Sequence, residues 1–236
     1  MWYWHPFSVD VLNTKIGCIA PGSIQLINNN TVFLSTLGLK DLISTNVQDE
    51  KNIQHISESI DKSNFNSDKG LLRESNLSSA ISIDFDNKYI LGLNGTCYVW
   101  DYLKGAWYYW TNIPASCFME VAGKLYFGSS SIGMVYQLKG EEDSGLYNDD
   151  GTAINAYWKT IMSAFGYNNY TKIIPKINYS IKPGARSSVT YGYVTEDDYV
   201  SSFQTDRMDL IDFGDIDFGQ FTFETNREPK PIPVIS

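Results

Sequence analysis

The sequence predicts a mainly β protein. The expected plan is a partial β-propeller of about three four-stranded blades with a helical insertion, then a β-sandwich-like domain and an extended proline-rich tail. Three observations carry that expectation. An apolar strand, a tight turn and a second apolar strand recur at 31–42, 88–101 and 124–138. Aromatic residues make up 14% of the 236 residues, with 16 Tyr, 12 Phe and 6 Trp, which suits pleated, half-buried surfaces. Turn formers such as Pro21-Gly22, Asn28-Asn-Asn30, Asp86-Asn87 and Asn94-Gly95 punctuate the apolar runs at short intervals.

After an N-terminal arm (1–14), the propeller-like region is expected over 15–165. Ile16 to Ile19, Ile24 to Ile27, Val32 to Ser35 and Leu39 to Ile43 read as the short strands of its first sheet, with Gly38 permitting a tight reversal. Residues 46–78 read differently. Ile53, Ile56 and Ile60 form one stripe of an amphipathic helix, and Asn46 followed by Asp49 supplies a candidate cap. This segment is therefore expected to be a helical insertion, with a further helical turn between Leu71 and Asn76.

The second sheet is the clearest. Ala80 to Phe85 alternates with period two, Asp86-Asn87 turns the chain, and Tyr89 to Leu93 leads into Asn94-Gly95, the strongest short hairpin signal. Thr96 to Trp100 answers it, and Ala106 to Trp110 closes the group. A third sheet is expected from 117–122, 124–128 and 133–138, with Ala153 to Thr160 available to complete it. Longer strands at 172–182 and 188–194 suggest the sandwich-like domain over 166–225. Pro175 makes the first of them an edge or bulged strand. The tail, 226–236, holds Pro229, Pro231 and Pro233 and cannot pair continuously, because proline lacks an N–H.

Charge and cysteine content narrow the function. Net charge is −9 and no cluster of Lys and Arg occurs, so gripping a nucleic-acid backbone is not expected. Three cysteines, Cys18, Cys97 and Cys117, form neither a CxxC pair nor a disulfide framework and read as small buried hydrophobes. The start, Met1-Trp-Tyr-Trp-His5, has no secretory-signal pattern, and no apolar run is long enough to span a membrane.

Chemistry-bearing patterns are sparse. His5 and His55 are the only histidines, and neither has a ligand partner at helical spacing. The triplets Asp212-Phe-Gly214 and Asp217-Phe-Gly219 stand without the other kinase motifs. Acidic loops at Glu141 to Asp150 and Asp206 to Asp217 read as solvated, with calcium binding as the alternative reading. No catalytic, cofactor-binding or metal residue is therefore nominated. The candidate interface or stacking residues are Trp107, Tyr108, Tyr109 and Trp110. Alternation puts Trp107 and Tyr109 on one face and Tyr108 and Trp110 on the other. One face must be core; the other suits a neighbouring sheet, a subunit interface or a sugar.

The order of these phrases resembles the β-propeller tail proteins of bacteriophages, the family of packaged-DNA stabilisation proteins and tail nozzle or tail tubular B proteins. Ile16-Gly-Cys-Ile-Ala-Pro-Gly-Ser-Ile24 with Thr31-Val-Phe-Leu-Ser-Thr-Leu-Gly-Leu39 resembles that family's opening blade. Phe85-Asp-Asn-Lys-Tyr-Ile-Leu91 with Val99-Trp-Asp101 and Trp107 resembles the next. Leu125-Tyr-Phe-Gly-Ser129 with Gly133-Met-Val-Tyr136 resembles the one after, and Asp149 to Ile154 with Tyr157 to Thr160 the turn beyond it. The likeness covers 15–165 well and 166–225 more loosely.

The resemblance implies a non-enzymatic structural subunit of a virion, in the tail, tail tip or head–tail junction, made in the host cytoplasm. It implies no cofactor. The implied partners are other tail subunits, in a homo-oligomeric ring near the DNA path but without specific DNA binding and without a membrane. About three blades is fewer than closed propellers carry. The chain is thus expected to be split from a larger protein or completed by other chains that cover its open edges. The alternative is a carbohydrate-binding or glycan-hydrolysing surface protein, for which an exposed aromatic cleft flanked by carboxylates would speak.

Overall fold

The computed structural model describes residues 15–43, 52–62, 70–139, 148–160, 163, 166, 176–178, 187–195, 204–208 and 231–233. The chain divides into two compact units, Met1–Gly145 and Leu146–Ser236. That boundary lies ahead of the expected one at 165. In both units the described strands pair antiparallel.

The described residues of the first unit form three sheets. In the first, β1 (Gln25–Ile27), β2 (Asn30–Ser35), β3 (Gly38–Ile43) and β4 (Asn52–His55) pair in chain order. After a short helix α1 (Glu58–Asp61) and 3-10 turns at Leu71–Arg73 and Leu77–Ser79, the second sheet follows. It comprises β5 (Ile81–Phe85), β6 (Lys88–Leu93), β7 (Thr96–Asp101) and β8 (Ala106–Trp110), again in chain order. The third contains β9 (Ala115–Val121), β10 (Lys124–Ser129) and β11 (Val135–Leu138), with β10 in the middle.

Positive φ makes the hairpins. Asn28 and Asn29 (49° and 67°), Asp86 and Asn87 (47° and 58°), Asn94 and Gly95 (50° and 81°), and Ala122 and Gly123 (50° and 73°) fill the two central turn positions. That is the mirror-type turn whose twist matches the flanking strands. Asn, Asp and Gly tolerate it; Ala122 is the misfit.

Alternation then sorts the side chains. Ile27, Val32, Leu34 and Leu39 of the first sheet pack against Tyr89, Leu91, Leu93 and Tyr98 of the second, with Ile60 and Leu71 joining them. The intervening residues of the second sheet, Ile90, Cys97 and Val99, point the other way and meet Leu125 and Phe127 of the third, with Ile113. The second sheet is thus covered on both faces, and Tyr89, Ile90, Leu91, Cys97 and Val99 have no exposed surface. Burial pushes the Cys97 thiol up to about 12.

Polar links hold the first two sheets in register. The Tyr89 hydroxyl donates to the Ser23 carbonyl at 2.7 Å, and Gln25 Nε2 donates to the Ser82 carbonyl at 3.0 Å. The strand-to-strand approaches between sheets involve the first strands: β1 meets β5, and β5 meets β9.

In the described part of the expected helical insertion, 52–62 and 70–78, a strand replaces much of the helix. Ile53 lies in β4, whose residues Asn52 to His55 pair with Ile43 to Lys40. The exposed edge of β3 captures this segment, because pairing satisfies backbone groups that an isolated short helix could not bury. Among the described residues only Glu58–Asp61 is α-helical, and Leu71–Arg73 forms the expected second turn as 3-10. Asn46 and Asp49 lie outside the described residues. So the fourth strand of the first sheet comes from the predicted helix, while Ile16 to Ile19 contributes only the bridge Cys18↔Ser35.

Two further expectations change. Ala153 does not complete the third sheet: Thr152–Ala153 (β13) pairs with Asn148–Asp149 (β12) in a small hairpin. Cys18 and Cys117 are exposed rather than buried.

In the second unit the described strands form two-stranded ladders. β14 (Lys176–Asn178) pairs with β17 (Pro231–Pro233), and β15 (Ser187–Tyr191) pairs with β16 (Gln204–Met208). The tail is therefore not wholly unpaired. Ile232 sits opposite Ile177, and the flanking prolines keep the ladder short because neither can donate to it. No helix among the described residues is long and apolar enough to cross a membrane.

Candidate functional site

The aromatic strand β8 lies beside β7, and its side chains divide between the two cores. Trp107 stacks on Trp100, its cross-strand partner, at 6.2 Å and 20°. Tyr109 meets Tyr98 edge-on at 5.2 Å. Both pack against the core between the first and second sheets, and Trp107 Nε1 donates to the Ile56 carbonyl at 3.2 Å. That bond ties the outer strand of the second sheet to the segment after β4. Trp110 packs against the core between the second and third sheets. Tyr108 alone is exposed, at 42%. Three of the four nominated residues are thus engaged in sheet-to-sheet packing, and one faces out.

Asp101, in the phrase Val99-Trp-Asp, organises the turn that delivers this strand. Its Oδ1 accepts the Lys104 backbone N–H at 3.0 Å, and its Oδ2 lies 3.1 Å from Lys104 Nζ. The Lys104 N–H first, then the ammonium, hold its carboxyl below the usual range.

A second constellation was not legible in the sequence. His55 at the end of β4, Ser57 and Asp61 of α1 converge on Gly38. Asp61 Oδ2 lies 2.6 Å from His55 Nε2, and the Ser57 hydroxyl donates to Asp61 Oδ1 at 2.6 Å. Ser57 Oγ also accepts the Leu39 N–H at 2.8 Å. The residue types are those of a hydrolase triad, but the wiring differs. A triad places the carboxylate on one ring nitrogen and the nucleophile on the other. Here Asp61 and Ser57 both approach Nε2, Ser57 at 3.4 Å, and the Ser57 proton is committed to Asp61. The arrangement is a joint between β3, β4 and α1, in which a buried carboxylate keeps its partners. Gly38 makes it possible: at φ 90°, a Cβ there would lie 2.6 Å from Asp61 Oδ2, His55 Nε2 and Ser57 Oγ alike.

Asp41, in β3, is a further buried carboxylate. Its Oδ2 accepts from Asn30 Nδ2 at 3.3 Å, while Oδ1 has no hydrogen-bond partner. Burial raises its pKa.

Among the described residues, no three His, Cys, Asp or Glu side chains converge as metal ligands would. Asp149 and Asp150 lie in the β12–β13 hairpin, where the Gly151 N–H donates to Asn148 Oδ1 at 2.8 Å. Glu141 to Asp143 and both Asp-Phe-Gly triplets lie outside the described residues, as does His5. Comparisons with protein-family models, curated proteins and solved structures each found no match.

Proposed function

We propose that this chain is a non-enzymatic structural subunit of a bacteriophage or phage-derived particle, working in the tail, tail tip or head–tail junction through contacts between subunits. In this reading the three stacked sheets are three blades of an incomplete β-propeller, and 166–225 is a sandwich-like domain. The phage placement comes from the ordered phrases at 16–24, 31–39, 85–91, 99–107 and 125–136. The carrying observation from the structure is the stack itself: a sheet covered on both faces between two sheets that each keep an apolar face turned outward.

The carbohydrate alternative needs an exposed aromatic platform. The aromatic strand offers Tyr108 alone, while Trp107, Tyr109 and Trp110 serve the cores. Stacking on sugars takes a free ring face, and a ring already stacked at 6.2 Å has spent one of its two.

The proposed partners are other virion subunits, including copies of this chain in a ring near the DNA path. The net charge of −9 fits a wall that DNA slides past rather than grips. The test is recovery of the chain, at fixed stoichiometry with portal, capsid or tail proteins, in particles purified by density gradient. Glycan-array binding by the isolated chain that disappears in Tyr108→Ala, with the fold unchanged by circular dichroism, would instead support the carbohydrate reading.

A further inference from the structure

The three sheets share one hairpin frame. Their first turns join Ile27 to Asn30, Phe85 to Lys88 and Val121 to Lys124. Counting from those turns makes Val32, Ile90 and Tyr126 equivalent, and likewise Leu34, Gly92 and Gly128. On the first strands, Ile81 and Ile83 correspond to Cys117 and Met119. This face of the first sheet is covered by the second sheet, and in the second sheet it is covered by the third. In the third sheet the same positions are apolar and open: Met119 is 55% exposed, Val121 46%, and Val135, opposite Gly128, 68%.

The opposite face behaves in the same way at the other end. Leu91 and Phe127 are equivalent, and each packs onto the preceding sheet. Their counterpart in the first sheet is Phe33. It shares the face turned away from the second sheet with Leu26, 65% exposed, the half-buried Leu42 and, opposite Phe33, the buried Lys40. The stack therefore begins and ends in faces that expose apolar side chains, Ile24 and Leu26 at one end and Met119, Val121 and Val135 at the other, where elsewhere in the chain one sheet joins the next.

The joint itself has a knob and a seat. The Phe118 ring of the third sheet lies over Gly92, so close that a Cβ there would stand 3.0 Å from the ring, next to Ile81. Gly128 is the equivalent seat. The only atoms near its ideal Cβ are Cys117 Sγ and Ser116 Oγ of its own sheet, so no knob fills it among the described residues. Phe118 stands three residues before Val121, and Ile24 stands three before Ile27. Ile24 is 48% exposed.

We propose that two copies of this chain close on each other, with the open face of the third sheet of each docking on the open face of the first sheet of the other. In that contact Ile24 of one copy seats over Gly128 of the other, beside Cys117. The first strands, which make the approaches between sheets, then line a common centre. Copy number follows from the count of sheets. Three are too few for a closed ring and nine too many, whereas six lies within the range of about four to eight blades. Two identical head-to-tail contacts close the ring and leave no open end. This inference rests on the reading of the chain as a subunit that works through contacts with its own copies, and not on where the assembly resides.

The experiment uses the full chain carrying Cys18→Ser. Light scattering at tens of micromolar is expected to give twice the 26.7 kDa of one chain. Adding Ile24→Cys and oxidising with copper-phenanthroline is expected to trap an inter-chain disulfide to the native Cys117, abolished by Cys117→Ser. The pair Met119→Lys and Val135→Glu, at surface positions of the single chain, is expected to give the single-chain mass with an unchanged circular dichroism spectrum. A single-chain mass without those two changes would overturn the proposal. So would a dimer that survives them, or one trapped through Cys117 without Ile24→Cys, since that pairs like faces. Absence of the chain from phage particles would sink the virion reading and leave these masses unchanged.

Discussion

The Phe118 ring rests on the bare backbone of Gly92, and this contact sets how closely the third sheet approaches the second. The ring edge lies 3.0–3.1 Å from where a side-chain carbon would begin, with Ile81 Cγ1 at 3.3 Å closing the other side. Gly92 also pairs with Cys97 on β7, so its strand has no freedom to withdraw.

Gly92→Ala should therefore overpack the joint. Inserting one methyl into a filled core costs about 1–3 kcal/mol. Urea denaturation is expected to show a lower midpoint with an unchanged slope. Phe118→Leu introduced together with Gly92→Ala should recover part of the loss, since the shorter side chain vacates the contested space.

Gly38→Ala should be among the more damaging single changes in the first sheet. It combines a positive φ with a Cβ 2.6 Å from three polar atoms of the His55–Ser57–Asp61 joint. Backbone strain alone accounts for about 1–3 kcal/mol. Asp61→Ala, which strands the Ser57 hydroxyl and the His55 ring, is expected to cost about 1–3 kcal/mol. Hydrolase activity toward ester substrates is expected to be absent before and after either change. Activity lost specifically with Ser57→Ala would show that the joint is a catalytic site.

Ala122→Asn should stabilise the protein. Ala122 holds φ at 50° in a turn where the other two first-turn hairpins place Asn or Asp. The left-handed conformation costs an alanine about 1–2 kcal/mol, and Asn relieves a part of that. A rise in thermal midpoint, with no change in mass by light scattering, is the expected reading.

Two carboxylates should give opposite pH slopes. The folded pKa of Asp101 is lowered, chiefly by the Lys104 N–H. Its contribution is present above the unfolded value of 3.8 and is lost as pH falls through the folded pKa. Asp101→Asn should thus be less stable than the parent at neutral pH, with the gap closing in acid. The folded pKa of Asp41 is raised by burial. Ionising it costs stability as pH climbs from 3.8 through the folded value, so Asp41→Asn should gain on the parent over that window. Thermal midpoints across pH 2–7 separate the two.

The second sheet was readable from its residues because its signals are local. Asn94-Gly95 dictates the turn, the turn dictates the register, and the register dictates that Tyr89 and Ile90 face opposite cores. The faces of Trp107 to Trp110 followed from the same alternation. The fourth strand of the first sheet was not readable. Ile53, Ile56 and Ile60 match a helical stripe, and only pairing with the free edge of β3, which no local pattern announces, turns Asn52–His55 into a strand. The His55–Ser57–Asp61 joint was hidden for the same reason, since its members meet only after β4 pairs and Gly38 reverses the chain. The open faces of Met119 and Leu26 lay beyond reach as well: alternation marks a face as apolar without saying what covers it.

The central claim is that the chain is a working part of a phage particle. Electron microscopy of particles purified from a culture carrying the gene, labelled with gold-conjugated antibody against this chain, tests it most directly. Label at one fixed place, the tail, its tip or the head–tail junction, is the predicted result. Intact particles without label, with the chain recovered instead on the cell surface, would contradict it.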